Sequence, residues 1–75
     1  MNRFVLCIHN AENPASLIIG KVYRRLPDPQ AEQHGLIRII DEDTSEADGY
    51  LYPQEWFVPI ELPPVAERAL LAMGV

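Results

Sequence analysis

The chain is poor in the residues that carry most catalytic and cofactor chemistry. Of its 75 residues one is cysteine and two are histidine. The lone Cys7 excludes an internal disulfide. A secreted domain this small ordinarily needs such staples, so the composition points to a reducing cytoplasm. No apolar run approaches the roughly 20 residues needed to cross a bilayer. Arg3 and the apolar run Phe4 to Ile8 have the flavour of a signal peptide. The run is shorter than the roughly 7–15 residues of an h-region, and His9, Asn10 and Glu12 come directly after it, so it reads as a strand. Positive charge is also scarce. Six Lys and Arg stand against eleven Asp and Glu, for a net charge of −5. That balance argues against non-specific nucleic-acid binding, which rests on neutralising phosphates. The sequence contains no internal repeat, no low-complexity segment and no catalytic or cofactor motif.

What is present is an ordinary globular composition. Hydrophobic residues make up 48% and charged residues 23%, which favours a folded chain despite seven prolines. A chain this short forms one domain and buries only about 60% of the surface it exposes when unfolded. One small core fits, and a deep substrate cavity is not expected.

The chain is organised around Gly35 to Ile60. Leu36 to Ile40 alternates, with Ile37 and Ile39 on one face and Leu36, Arg38 and Ile40 on the other. An acidic turn spans Asp41 to Asp48, then comes a strand from Gly49 to Tyr52. Placing Leu51 on the core with Ile37 and Ile39 puts Tyr50 and Tyr52 on the side of Arg38. A tight turn from Pro53 to Trp56 delivers a short edge strand, Phe57 to Ile60, which tolerates Pro59. Upstream, Arg3 to Ile8 is a β-forming run apolar on both parities, as in a strand covered on both faces. His9 to Ala15 is loop, broken by Asn10, Asn13 and Pro14. Leu17 to Leu26 reads as a bent strand with Gly20 at the bend. Asp28 to Gly35 is a polar loop with one helical turn around Gln30 to Gln33. Pro63 and Pro64 open a C-terminal helix over residues 64–73, with Gly74 as its stop. Its apolar face holds Val65, Ala66, Ala69, Leu70, Ala72 and Met73, with Leu71 between the charged Glu67 and Arg68.

This pattern predicts a mainly β fold: a small five-stranded barrel with a short C-terminal α-helix packed on it. The phrases Gly20-Lys21-Val22-Tyr23, Gly35 to Glu42, Tyr50-Leu51-Tyr52-Pro53 and Phe57-Val58-Pro59-Ile60 resemble the Src-homology-3-like (SH3-like) barrels. Over residues 17 to 60 they are similar to small uncharacterised bacterial proteins built on such a barrel. The resemblance implies a fold and almost nothing about function. The proline-peptide readers of that fold carry an Ala-Leu-Tyr-Asp-Tyr run and a Trp-Trp pair. Neither occurs here, so their ligand does not carry over.

The ligand-binding candidates are Tyr23, Arg38, Tyr50, Tyr52 and Trp56. An exposed row of these rings, with Arg38 across from the tyrosines, makes a platform for a peptide or a base. The competing reading packs the rings beneath the C-terminal helix. The acidic turn echoes a calcium loop at Asp41, Asp43 and Ser45. It carries Glu46 where such a loop needs glycine and Tyr52 where it needs glutamate, so it reads as a solvated hairpin turn. Cys7, His9 and His34 lack a zinc spacing and an orienting acid, so no metal or cofactor is expected. Lys21, Arg24 and Arg25 form a local basic segment, although Arg24 and Arg25 point to opposite faces of a strand. Leu71 and Val75 are candidate oligomer contacts, for a monomer or weak homodimer.

The function expected is a non-enzymatic module that binds a protein or peptide through the Tyr50, Tyr52 and Trp56 region. The alternative is a nucleic-acid accessory protein using Lys21, Arg24, Arg25 and Arg38.

Overall fold

The computed structural model describes residues 3–12 and 15–73. Five strands form one antiparallel sheet: β1 (Phe4–Cys7), β2 (Val22–Leu26), β3 (Leu36–Ile40), β4 (Tyr50–Pro53) and β5 (Phe57–Ile60), in the order β4-β3-β2-β1-β5. Among the described residues two α-helices accompany it, α1 (Pro29–Glu32) and α2 (Pro64–Ala72). The strands at the two edges, β4 and β5, are joined by one turn of 3₁₀ helix, Gln54–Trp56. No ladder joins β4 to β5, so hydrogen bonding leaves the sheet open.

The register sets which side chains share a face, because residues opposite one another in an antiparallel pair point the same way. Val5 lies opposite Tyr23 and Pro59, Cys7 opposite Phe57, Ile37 opposite Tyr52, and Ile39 opposite Tyr50. Val5, Cys7, Tyr23, Ile37, Ile39 and Phe57, joined by Leu17 from the β1–β2 connection, make the core cluster. Tyr52 and Trp56 pack against it, half-buried. Phe4, on the other face of β1 opposite Arg24 and Ile60, is also buried.

The prolines fall where the ladder needs no donor. The Ile8 N–H donates to the Trp56 carbonyl and the Gln54 N–H to the Gly35 carbonyl. These bonds fix the phase of each edge ladder, so positions 59 and 53 have their N–H side turned away from the partner strand. Pro59 and Pro53 occupy those positions, and both edges lose a donor that could template further pairing.

Two expected features differ in detail. The strand begins only at Val22, and before it a turn at Ile19 and Gly20, closed by the Lys21 N–H on the Ile18 carbonyl at 3.2 Å, folds back on the end of β1. Gly20 N–H donates to the Cys7 carbonyl at 2.8 Å. Helix α2 is rotated from the orientation that its apolar face predicts. Ala66, Glu67, Leu70 and Leu71 are half-buried, whereas Val65, Ala69, Ala72 and Met73 are exposed. This orientation half-buries both leucines and brings Glu67 within 3.7 Å of Arg3, while Val65 and Met73 stay in solvent. Leu71, a candidate oligomer contact, is half-buried in this orientation. Asn13, Pro14, Gly74 and Val75 lie outside the described residues. No helix among the described residues is long and apolar enough to cross a membrane.

Candidate functional site

The aromatic candidates do not form a single exposed row. Tyr23 is buried in the core at 2% exposure. Tyr50 and Tyr52 stand opposite Ile39 and Ile37, so they occupy the core face of β4. Leu51 is the residue opposite Arg38, and it is 43% exposed. The face expected for β4 is thus reversed, and no cation–π contact joins Arg38 to the tyrosines. Arg38 is instead held by Asp28, whose carboxylate Oδ2 accepts from its Nε at 2.9 Å. The same carboxylate accepts the Ala31 N–H and so caps α1. Its N–H donors, first that backbone group and then Arg38, keep Asp28 below the usual carboxylate range.

The reason for the reversal lies in the acidic loop, which is not simply solvated. All three tyrosines of the chain donate their phenols to three successive carboxylates. Tyr52 reaches Asp41, which is 5% exposed. Tyr23 reaches Glu42 at 2.5 Å and Tyr50 reaches Asp43 at 2.9 Å. Lys21 Nζ joins Glu42 at 2.6 Å and lies 5.3 Å from the Tyr23 ring centroid. The Tyr23 phenol also accepts the Ile18 N–H at 2.8 Å, which pins the β1–β2 connection to the same cluster. Burial first, and the Asp41 carboxylate second, push the Tyr52 phenol up to about 12. Tyr23 is pushed up too, by burial and then by Glu42. Lys21 and then Tyr23 hold Glu42 below its ordinary value. These contacts clasp the loop to the sheet. Their donors and acceptors are satisfied internally, which is a structural arrangement.

The basic segment is dispersed. Lys21 is engaged by Glu42, Arg25 pairs with Glu32 at 2.7 Å, and Arg24 stands exposed on the opposite face of β2. Arg25 is largely buried, and its Nε finds no hydrogen-bond partner among the described residues. The structure does not bring Lys21, Arg24 and Arg25 into one patch. Among the described residues, no three His, Cys, Asp or Glu side chains come together as a metal site.

Among the described residues, one surface open to a ligand is the end of β1 beside the 3₁₀ turn. Trp56 is half-buried, with His9 edge-on at 5.0 Å and Tyr52 tilted at 5.9 Å between ring centroids. A groove of about 400 Å³ lies against it, lined by Ile8, His9, Glu55 and Trp56. Ile8 is 48% exposed at its rim. A smaller cavity of about 250 Å³ lies between α1 and the outer face of β3 and β4, lined in part by Leu36, Arg38 and Leu51. Its one arginine is already neutralised by Asp28.

Sequence reasoning named Trp56 and missed Ile8, His9 and Glu55 as its neighbours. The available signal was the expected tight turn at Pro53–Trp56, which returns the chain to a strand that must pair with something. That its partner is β1 emerges only from the topology. No protein-family model, no curated protein and no solved structure matches the chain.

Proposed function

We propose that the chain is a non-enzymatic, cytoplasmic protein- or peptide-interaction module whose contact surface is the groove beside Trp56. The observation that carries this reading is the groove itself. A tryptophan held by His9 and Tyr52 borders an exposed isoleucine, and rigid aromatic anchors at an apolar edge are what protein contacts favour. The SH3-like barrel is proposed as the architecture. The strand order with a 3₁₀ turn between the edge strands supports it, as does the Tyr52–Phe57 ring contact at 6.1 Å linking β4 to β5. The nucleic-acid alternative draws no support from the dispersed cations. Tyr50 and Tyr52 serve this surface from behind, by holding the loop and backing Trp56.

The test is affinity capture from native lysate read by mass spectrometry. Wild type is compared with Ile8→Asp at the groove and Val65→Ser on the exposed side of α2. A partner lost with Ile8→Asp and kept with Val65→Ser supports the assignment. Capture unaffected by Ile8→Asp places the contact surface elsewhere.

A further inference from the structure

The groove beside Trp56 has a chemistry more specific than apolar contact. Glu55 sits one residue before Trp56 on the 3₁₀ turn, exposed, with no ion-pair partner among the described residues. No lysine or arginine lines the groove. The acids at the other charged contacts are occupied: Glu42 by Lys21, Glu32 by Arg25, Asp28 by Arg38 and Glu67 by Arg3. Glu55 is thus an uncompensated carboxylate beside the one indole in the chain. Tryptophan is the best aromatic partner for a cation. The neighbouring His9 and Tyr52 rings keep this one from rotating away. Ile8 adds an aliphatic wall on which a long basic side chain can lay its stem.

Taking this groove as the contact surface assigned above, we propose that it receives a lysine or arginine side chain from a segment of a partner protein. The stem runs along Ile8, and the cation lies between the Trp56 ring and the Glu55 carboxylate. Arginine is favoured over lysine, because a planar guanidinium can stack on the indole while its N–H fork meets the carboxylate. The net charge of −5 draws a basic segment toward the protein. The same charge on a second copy of this chain opposes self-association through the groove.

The experiment is an NMR titration of the full chain with two short peptides, acetyl-Leu-Arg-Leu-amide and its neutral counterpart acetyl-Leu-Gln-Leu-amide. The readouts are the backbone amides and the Trp56 indole N–H. The arginine peptide is expected to shift Ile8, His9, Glu55 and Trp56, and to bind about tenfold tighter than the glutamine peptide. Glu55→Gln is expected to remove about fivefold of the arginine peptide's affinity and to leave the glutamine peptide unchanged. Glu55 is exposed, so this variant keeps the fold, and the dispersion of its amide spectrum verifies that.

Equal binding of the two peptides overturns the cationic subsite and leaves an apolar contact surface standing. Indifference to Glu55→Gln overturns it as well. So do shifts centred on Asp41 to Asp48, which mean diffuse attraction to the acidic loop, and so does an absence of shifts with either peptide. The contact surface itself is judged separately, by the lysate capture with Ile8→Asp.

Discussion

Tyr52 and Asp41 meet across the β3–β4 loop, the phenol donating to one carboxylate oxygen while the other accepts the Asp43 backbone N–H. Asp41 is the only buried charged residue among those described. A buried carboxylate is tolerable only when its oxygens are satisfied. Tyr52→Phe removes one donor and leaves the shape of the ring in place. The expected cost is roughly 1.5–3 kcal/mol, typical of a hydrogen bond to a charged group. Urea unfolding of wild type and Tyr52→Phe checks it. An unchanged midpoint means that the bond contributes nothing net. Tyr52→Ala would also remove the ring packed on the core, so it reports on folding rather than on binding.

This same contact explains why the face of β4 was not legible. The strands themselves were: Leu36–Ile40 and Phe57–Ile60 emerge from alternation and β-branched residues, and the structure keeps those limits. The facing of Tyr50-Leu51-Tyr52 depends on register, and a slip of one residue reverses every side chain. Ranked by hydropathy, Leu51 belongs inside. The loop instead sets Tyr52 opposite Ile37, and Asp41 offers its phenol a partner. No local pattern connects Asp41, Glu42 and Asp43 to Tyr52, Tyr23 and Tyr50, because each pairing is made by tertiary structure. The orientation of α2 was lost for a similar reason. Periodicity counted apolar positions along the helix, whereas the structure turns Glu67 and Leu71 inward beside Leu70, with Glu67 reaching Arg3 just before β1.

The clasp titrates from both sides. Glu42 and Asp43 have folded-state values below their ordinary ones. Their contribution to stability is therefore present above about pH 4.5, the region of free carboxylates, and is lost as pH falls through the lower folded values. Tyr52 is raised from 10 to about 12. Its contribution is present below about pH 10 and is lost as pH rises through the folded value. The urea midpoint should be flat between about pH 5 and 9 and fall on either side. Ultraviolet titration of phenolate should show a transition near 12 that Tyr52→Phe abolishes. A Tyr52 that ionises near the ordinary value would contradict the clasp.

Gly49 ends the acidic loop with a φ of +67°, and a Cβ there would lie 2.4 Å from the Ile39 carbonyl oxygen. That oxygen belongs to the backbone of a central strand and cannot step aside cheaply. Gly49→Ala combines left-handed strain with a backbone clash, for an expected loss of roughly 2–4 kcal/mol. Gly35, at φ +73°, has nothing within 4 Å of the same position. Gly35→Ala should cost only about 1 kcal/mol, from strain alone. Thermal unfolding of the pair separates the two terms, and equal losses would remove the steric argument.

The exposed side of α2 should be energetically quiet. Val65 is 68% exposed and Met73 83% exposed. Val65→Ser is expected to change stability by no more than about 0.5 kcal/mol. Phe4 lies on the outer face of β1 at 2% exposure, and Phe4→Ala should cost roughly 3–5 kcal/mol. A large loss at Val65 would mean that this side of the helix is covered in solution, and sedimentation analysis would then reveal a second copy on it.

Cys7 offers a readout of all these changes at one atom. Its thiol is buried in the core cluster and donates to the His9 carbonyl at 3.3 Å. Desolvation, only partly opposed by that bond, pushes the thiol above its ordinary value. The thiolate is the reactive form, so native Cys7 should resist alkylation at neutral pH, and labelling should require opening of the sheet. When reclosing outruns the reagent, the labelling rate tracks the population of the open state. Each loss of about 1.4 kcal/mol should then accelerate it tenfold. Gly49→Ala should therefore be labelled at least tenfold faster than wild type, and Val65→Ser at nearly the wild-type rate. Mass spectrometry of timed iodoacetamide reactions measures this directly. If Gly49→Ala is labelled no faster although it is less stable to urea, Cys7 is reached by a local opening that leaves the clasp closed. If all variants are labelled at the rate of the unfolded chain, the thiol is not buried.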